Sequence, residues 1–485
     1  MVRTRLAPSP TGKLHIGTAR TALYNFLFAR KNKGQFALRI EDTDQQRSSK
    51  KFELDITEGL TWLGIAWDEG PFVKGRYGPY YQSERLAIYQ KYLDQLLKEG
   101  KAYRCFCTDL ELAKEKEEQG KKGLPPKYAG RCRNLSAADI DQCKKEGKSS
   151  AVRFKVPQTE IVFQDLIRGE IRFQTGQFGD FVLQKSDGTF LFMFANAIDD
   201  FLMKISHVIR GEDHISNTPK QILILQALGM QPPAYAHVPL ILNPDKTKMS
   251  KRQDPISISD DFEAKGYLPE ALVNFLAFLG WNPGGEQEIY SLDELIADFS
   301  LEKVGKSPAV FNLEKLNWFN GVWLRKLTKE ELLKRLAPFY EKARVDIANY
   351  DKEYLLNVVG LIRERIKKLD EAVALSDFFF TKQIKLQPEQ LLVDKLDKKD
   401  LKNALEISLA EMEKFQVTDF QAEALEKTFR ALSAKLNLSA GLLFSALRNA
   451  LSGKKVTPPL FEMMQVLGKG VCVNRLQDAL ALLPI

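Results

Sequence analysis

His15-Ile16-Gly17-Thr18 follows a Pro8-Ser9-Pro10-Thr11-Gly12 turn, and these residue types in this order are suited to holding an anion. A helix starting there presents unpaired backbone N–H groups and the positive end of its dipole. Gly17 leaves room for a nucleotide to lie against the backbone, and His15 can donate a hydrogen bond to a phosphate oxygen as charge develops. Read alone, a histidine at a helix start is usually a structural cap. Far downstream, the polar loop from Leu242 to Arg252 carries four cations and ends in Lys248-Met249-Ser250-Lys251-Arg252. Such a loop can neutralise a triphosphate and a departing pyrophosphate, although alone it reads as a solvated charge run. The two motifs occur in order, at opposite ends of one α/β half, and together they read as an ATP site. Neither Gly147-Lys148-Ser149 nor Gly305-Lys306-Ser307 has the upstream glycine of a phosphate-binding P-loop.

The elements that must position these motifs can be read from periodicity. Val2 to Ala7 reads as a strand and the segment from His15 as a helix, with Ala19, Ala22, Leu23, Phe26 and Leu27 on one face and Gly34 as the stop. Phe36 to Ile40 reads as a second strand ending at Glu41, followed by helices over Phe52–Leu63 and Ser83–Leu97. This βαβ opening predicts a parallel, nucleotide-binding sheet. From about Tyr103 to Gln184 the pattern changes to a charged helix (Asp109–Lys122) and short strands (Ala151–Val156, Ile171–Gln174), which reads as an insertion between two halves of the sheet. The α/β pattern resumes after a Ser186–Thr189 turn, with a strand over Lys204–Arg210 and then Thr218-Pro219, an expected N-cap and first helical residue. Beyond Trp318 the pattern is almost wholly helical, with boundaries expected near 315–325 and 375.

Composition sets wider limits. A chain of 485 residues should hold several domains, and 44% hydrophobic with 28% charged residues is globular in character. The net charge of +8, from 71 Lys and Arg against 63 Asp and Glu, permits a polyanionic partner without requiring one. Five cysteines are too few for a disulfide scaffold. No apolar run suits a membrane span or a signal segment, so no membrane association and a cytoplasmic location are expected.

Several further stretches carry a resemblance. These are Arg5 to Gly12, Leu38 to Asp44 with Arg47-Ser48, Gly78-Pro79-Tyr80, Gln82 to Arg85, Val208 to His214, Gly266 to Leu272 and Lys315 to Trp318. With the two motifs, they resemble bacterial glutamyl-tRNA synthetases, a branch of the class I aminoacyl-tRNA synthetases, over nearly the full length. Thr18, where the class has a second histidine, is usual for this branch. The resemblance implies an α/β Rossmann-like catalytic domain with an α+β insertion, followed by an all-α C-terminal anticodon-binding region. The implied divisions are residues 1–104 with 185–240 (catalytic), 105–184 (acceptor-end insertion), 241–320 (stem contact), and 321–375 and 376–485 (anticodon binding).

The implied reaction activates L-glutamate with ATP and Mg²⁺ to glutamyl-adenylate, then passes the glutamyl group to tRNA(Glu). Members of the family generally bind tRNA before activating glutamate, and a monomer is expected. His15, Gly17, Thr18, Lys248, Met249, Ser250 and Lys251 would handle ATP. A substrate with two carboxylates and an ammonium wants guanidinium partners and an acid. Arg5 and Arg210 end strands on the ligand side, Glu41 could take the ammonium, and Ser9 and Asn196 could hydrogen-bond; without the two motifs, each would read first as a structural ion pair at a sheet edge. The resemblance adds Ala7 and Phe192 to the glutamate site, and Arg47 and Glu212 as tRNA contacts. Phe192 stands where the family has tyrosine, which removes one expected hydrogen bond to glutamate.

Some family members bind structural zinc through three cysteines and a His or Tyr. Cys105, Cys107 and Cys132 match that set, with Asn134 at the histidine position; Tyr128, Cys143 or water is left as the fourth ligand, and reduced, unligated cysteines remain the alternative. Arg363-Glu364-Arg365 resembles the family's Arg-x-Arg, whose second arginine favours C over G at the last anticodon base, so Arg365 suggests discrimination against tRNA(Gln). A glutaminyl-tRNA synthetase would carry a mostly β anticodon region, and a truncated queuosine-modifying relative would lack the helical half. A catalytically dead RNA-binding paralogue would not be expected to keep His15, Lys248, Ser250 and Lys251. A small-molecule nucleotidyltransferase leaves the helical tail unexplained.

Overall fold

The computed structural model describes residues 1–44, 47–247, 249, 256–381 and 383–483. They form two compact units, residues 1–264 with 269–313, and 265–268 with 314–485.

The first unit opens with β1 (Arg3–Leu6), α1 (Ile16–Lys31) and β2 (Gln35–Leu38), the two strands parallel from Arg3 opposite Gln35 to Leu6 opposite Leu38. Helix α1 buries the expected Ala19, Ala22, Leu23, Phe26 and Leu27, and also Arg20, Tyr24 and Asn25. It is therefore enclosed on more than the one face that periodicity marks. The polar members are held by backbone carbonyls: Asn25 Nδ2 donates to that of Ile209 at 2.9 Å, and Arg20 Nη1 donates to that of Leu279 at 3.0 Å. Gly34, the expected stop, leaves no room for a side chain, since a Cβ there would lie 2.2 Å from the Val2 carbonyl oxygen.

Helix α2 (Lys50–Trp62) starts at Ser49, whose hydroxyl accepts from the Phe52 N–H. A 3₁₀ turn at Gln82–Arg85 leads into α3 (Leu86–Lys98), where the sequence suggested one continuous helix. Strand β3 (Ala102–Cys105) is followed by α4 (Asp109–Lys121) and α5 (Ala137–Lys145), each starting with a reciprocal cap, Thr108 with Glu111 and Ser136 with Asp139. Strand β4 (Ala151–Phe154) pairs antiparallel with β3.

Next comes a hairpin that the sequence reading did not separate, β5 (Glu160–Asp165) and β6 (Gly169–Gln174). Its exposed face carries Glu160, Val162, Glu170 and Arg172, and β5 itself offers only the short apolar run Ile161 to Phe163. Strand β7 (Val182–Gln184) completes the sheet on β4. Helix α6 (Phe192–Leu202), strand β8 (His207–Gly211), helix α7 (Thr218–Ala227) and strand β9 (Ala234–Val238) restore the parallel pattern, β8 beside β9. The end of β5 joins this sheet at Asp165 opposite Tyr235, giving the order β6-β5-β9-β8. Between the two parallel pairs, Ser206 N–H donates to the Arg3 carbonyl at 2.9 Å, which brings the approach to β8 against β1.

The second unit is helical, with no strand among its described residues. Its core collects Phe378, Phe379, Phe429, Leu447 and Met464. Arg475, fully buried within it, donates to the carbonyls of Leu451, Phe378 and Thr381. No helix among the described residues is long and apolar enough to cross a membrane.

Candidate active site

A cavity of about 710 Å³ opens between the β1 turn, the start of α1, α6 and the end of β8. Arg5, Ala7, Ser9, His15, Gly17 and Thr18 line it from the first parallel pair, with Glu41 just beyond β2. Phe192, Asn196, Arg210 and Met249 line it from the second half. Every described residue expected at the ATP and glutamate sites thus faces one space. Lys248, Ser250 and Lys251 lie outside the described residues.

His15 occupies the N-cap of α1, with extended backbone, and its ring Nδ1 accepts from the Thr18 N–H at 3.3 Å. Thr18 Oγ1 lies 3.0 Å from Nε2. A Cβ on residue 17 would sit 3.2 Å from the His15 ring, so any larger residue would press on the histidine and displace it by a few tenths of an ångström. The capping reading and the anion-binding reading are compatible here: one ring ties off the first helical turn and stands at the cavity wall.

A buried ionic network forms the floor. Arg5 makes a bidentate contact with Asp200, Nε at 3.1 Å and Nη2 at 3.2 Å. Arg39 reaches Asp200 at 2.8 Å and Glu41 at 3.0 Å. Asp199 takes Arg85 at 2.6 Å, Tyr89 at 2.7 Å and Gln82 at 2.9 Å. Burial alone would raise the Asp200 carboxyl, but Arg5 and Arg39 hold it below its ordinary value. For Glu41 burial prevails over Arg39, Asn196 and Arg5, and its carboxyl is raised. Asn196 Nδ2 donates to Glu41 at 2.6 Å, while its oxygen accepts from Gln221 at 2.8 Å.

Arg210 is different. It is 5% exposed, and its hydrogen-bond partners are neutral: the side-chain oxygens of Thr218 and Gln221, each at 2.8 Å, and His237 Nε2 at 3.2 Å. Its Nη1 is buried without a hydrogen-bond partner among the described residues, and burial pulls its pKa down to about 10. Arg5, Arg39 and Arg85 each pair directly with Asp199, Asp200 or Glu41, whereas Arg210 touches no carboxylate among the described residues, and Asp165 reaches it only through the His237 ring. A buried cation with an open donor and no counter-ion in contact is costly unless an anion completes it.

The structure reassigns Thr218. It stands inside α7, with helical backbone angles of its own and Asn217 at the N-cap position without a side-chain cap, and its hydroxyl accepts from Arg210. Gln221, His237, Asp165, Arg39, Asp200 and His214 all bear on the site without having been marked by the sequence. Arg39 and Asp200 flank residues that were, but a buried charge inside an apolar stretch has no periodic signature. His214 lines the cavity with its ring 5.5 Å from that of Phe192, and burial, then Arg210, lower its pKa to about 4.

The expected tRNA contacts lie outside the cavity. Arg47 is exposed and paired with Asp44 at 2.6 Å. Glu212 is bound to Arg168 and accepts from the Leu240 N–H at 2.7 Å, which ties β8 to the segment after β9. In the second unit Arg363 pairs with Glu364 at 3.3 Å, and Arg365 is exposed.

Elsewhere in the first unit, the sulfurs of Cys105, Cys107 and Cys132 lie within 4.8 Å of one another. Tyr128 Oη is 3.4 Å from Cys105 Sγ and 3.6 Å from Cys107 Sγ, and it accepts from the Cys132 N–H at 2.8 Å. Burial pushes the Cys107 thiol up to about 12. For Cys105 burial acts the same way, but Tyr128 and Arg153 outweigh it and the thiol is lowered. Three thiols and a hydroxyl converging in this way form a donor set of the kind zinc accepts. Cys143, on α5, is not part of the cluster.

Comparison with known proteins bears on this geometry. Residues 1–318 match the family model "tRNA synthetases class I (E and Q), catalytic domain", and residues 331–480 match "Anticodon binding domain". Glutamate–tRNA ligase 2 of Caldicellulosiruptor saccharolyticus is 46% identical over 98% of each chain. The glutamate–tRNA ligase of Carboxydothermus hydrogenoformans is 44% identical over 99% of each. Among solved structures, a glutamate tRNA ligase from Elizabethkingia meningosepticum in complex with its amino acid superposes with a TM-score of 0.86 at 35% identity, covering 100% of both chains.

Proposed function

The chain belongs to the class I tRNA synthetases of the glutamate and glutamine family, and we propose that it is a glutamate–tRNA ligase specific for tRNA(Glu), working as a cytoplasmic monomer. The observation that carries the amino-acid assignment is Arg210. Arg5 is already neutralised by Asp200, whereas Arg210 lines the cavity with a buried, unpaired Nη1. A buried guanidinium with an open donor and no carboxylate directly on it is complementary to one of glutamate's two carboxylates. Glu41 takes the ammonium, and Asn196 and Ser9 supply hydrogen bonds. Glutamine, lacking the second carboxylate, would leave Arg210 without a carboxylate in contact.

In the first step an α-carboxylate oxygen of glutamate attacks the α-phosphorus of ATP and pyrophosphate leaves. In the second, a terminal ribose hydroxyl of tRNA attacks the glutamyl carbonyl and AMP leaves. No covalent enzyme intermediate is needed, so catalysis is positioning with electrostatic stabilisation. In this class ATP is used with Mg²⁺. His15 and the Gly17 N–H at the start of α1 receive the phosphates, joined by Lys248, Ser250 and Lys251. Cys105, Cys107, Cys132 and Tyr128 hold a structural zinc.

ATP–pyrophosphate exchange tests the reading. It should appear with glutamate in the presence of cognate tRNA and be absent with glutamine; no exchange with glutamate would overturn it. Charging separated glutamate and glutamine tRNAs with labelled glutamate tests the discrimination, which equal charging of both would refute.

A further inference from the structure

Beyond the residues that line the cavity, a buried relay leads away from Arg210. His237, fully buried on β9, accepts from Arg210 Nε at its Nε2. A guanidinium can only donate, so this ring nitrogen carries no proton, and the hydrogen of a neutral imidazole sits on Nδ1. Nδ1 lies 2.6 Å from Asp165 Oδ2, which fixes that tautomer. Asp165 is itself held in place by backbone N–H groups, Ile167 at 3.0 Å, Arg168 at 2.8 Å and His237 at 3.1 Å. The anchoring is possible because β5 pairs with β9 at this one point, Asp165 opposite Tyr235.

We propose that Asp165 and His237 are positioning residues for amino-acid recognition: they fix the Nε edge of Arg210 through a neutral histidine, so that its orientation is set while its charge stays available to a substrate carboxylate. A carboxylate in place of His237 would orient the arginine equally well but cancel its charge, as Asp200 does for Arg5. The imidazole inserts one neutral ring between Asp165 and the guanidinium. This rests on the glutamate reading of the cavity.

Two substitutions separate orientation from mere filling of the core. In His237→Asn the amide N–H can still serve Asp165, but nothing reaches Arg210 Nε. In His237→Gln a longer amide can serve both. Aminoacylation kinetics should show KM for glutamate raised about tenfold in His237→Asn, the scale of one lost charge-assisted hydrogen bond, with kcat and KM for ATP little changed. His237→Gln should restore KM for glutamate to near the wild-type value. A wild-type KM for glutamate in His237→Asn overturns the proposal. So does a His237→Gln variant as impaired as His237→Asn, or a loss shared equally by ATP, glutamate and thermal midpoint, since each would mark a purely structural histidine. Wild-type protein that charges tRNA with no glutamate would instead overturn the glutamate reading beneath it.

Discussion

Phe192 stands at the start of α6 with its ring against that of His214, on the same cavity as Arg5, Glu41 and Arg210. The family's tyrosine would bring a hydroxyl to this wall. Phe192→Tyr should therefore lower KM for glutamate about fivefold, the worth of a net hydrogen bond of about 1 kcal/mol, as measured by steady-state charging. An unchanged or higher KM would mean that His214 has taken over the contact. Glu41 gives a pH test. Its carboxyl is raised, by burial first, and only its ionised form attracts an ammonium. As pH falls through that raised value, kcat/KM for glutamate should drop, beginning above the ordinary carboxylate range. A pH profile of Glu41→Gln should lack this limb and be low throughout. Of these residues, Arg5, Glu41 and Arg210 were legible because they end strands on the side where parallel sheets bind ligands. Asp165 and His237 were not, because a buried aspartate and histidine in short strands have no pattern to distinguish them until their elements meet.

Helix α1 shows how an element constrains a reactive side chain. His15 is both its N-cap and part of the cavity wall. Asparagine caps well and alanine does not, the difference being about 1 kcal/mol. Thermal unfolding should therefore find His15→Asn close to wild type and His15→Ala destabilised by about that amount, while ATP–pyrophosphate exchange falls sharply in both. Retained exchange in the asparagine variant would reduce His15 to a cap. The start of α1 was readable from the turn, the glycine and the apolar spacing, whereas its nearly complete enclosure was not, since Arg20 and Asn25 look solvent-facing by type. The cysteine cluster is likewise an element-scale device, joining the end of β3 to the turn ahead of α5. Metal analysis should find one equivalent of zinc per chain, and Cys107→Ser should lose it and unfold at lower temperature. Less than half an equivalent in the wild type would favour free thiols.

Across the whole molecule, a helical second unit with an exposed Arg365 fits recognition of an unstacked anticodon loop, where arginine reads base edges. Arg365→Gln should raise charging of tRNA(Gln) relative to tRNA(Glu), measured on separated tRNAs, while glutamate-dependent exchange persists. An unchanged ratio would remove Arg365 from the discrimination. What the amino-acid sequence determined alone is local: the βαβ opening, the helix start at His15 and the helical C-terminal half. These follow from periodicity and turn residues, which short segments carry by themselves. What only the tertiary structure decided is which of two similar arginines has a carboxylate directly on it. Arg5 and Arg210 read alike in the sequence, but folding sets Asp200 against Arg5 and brings His237, Thr218 and Gln221 to Arg210. The difference depends on partners drawn from α6, α7 and β9, and the effective charge of a buried group is a property of the neighbours that packing gives it.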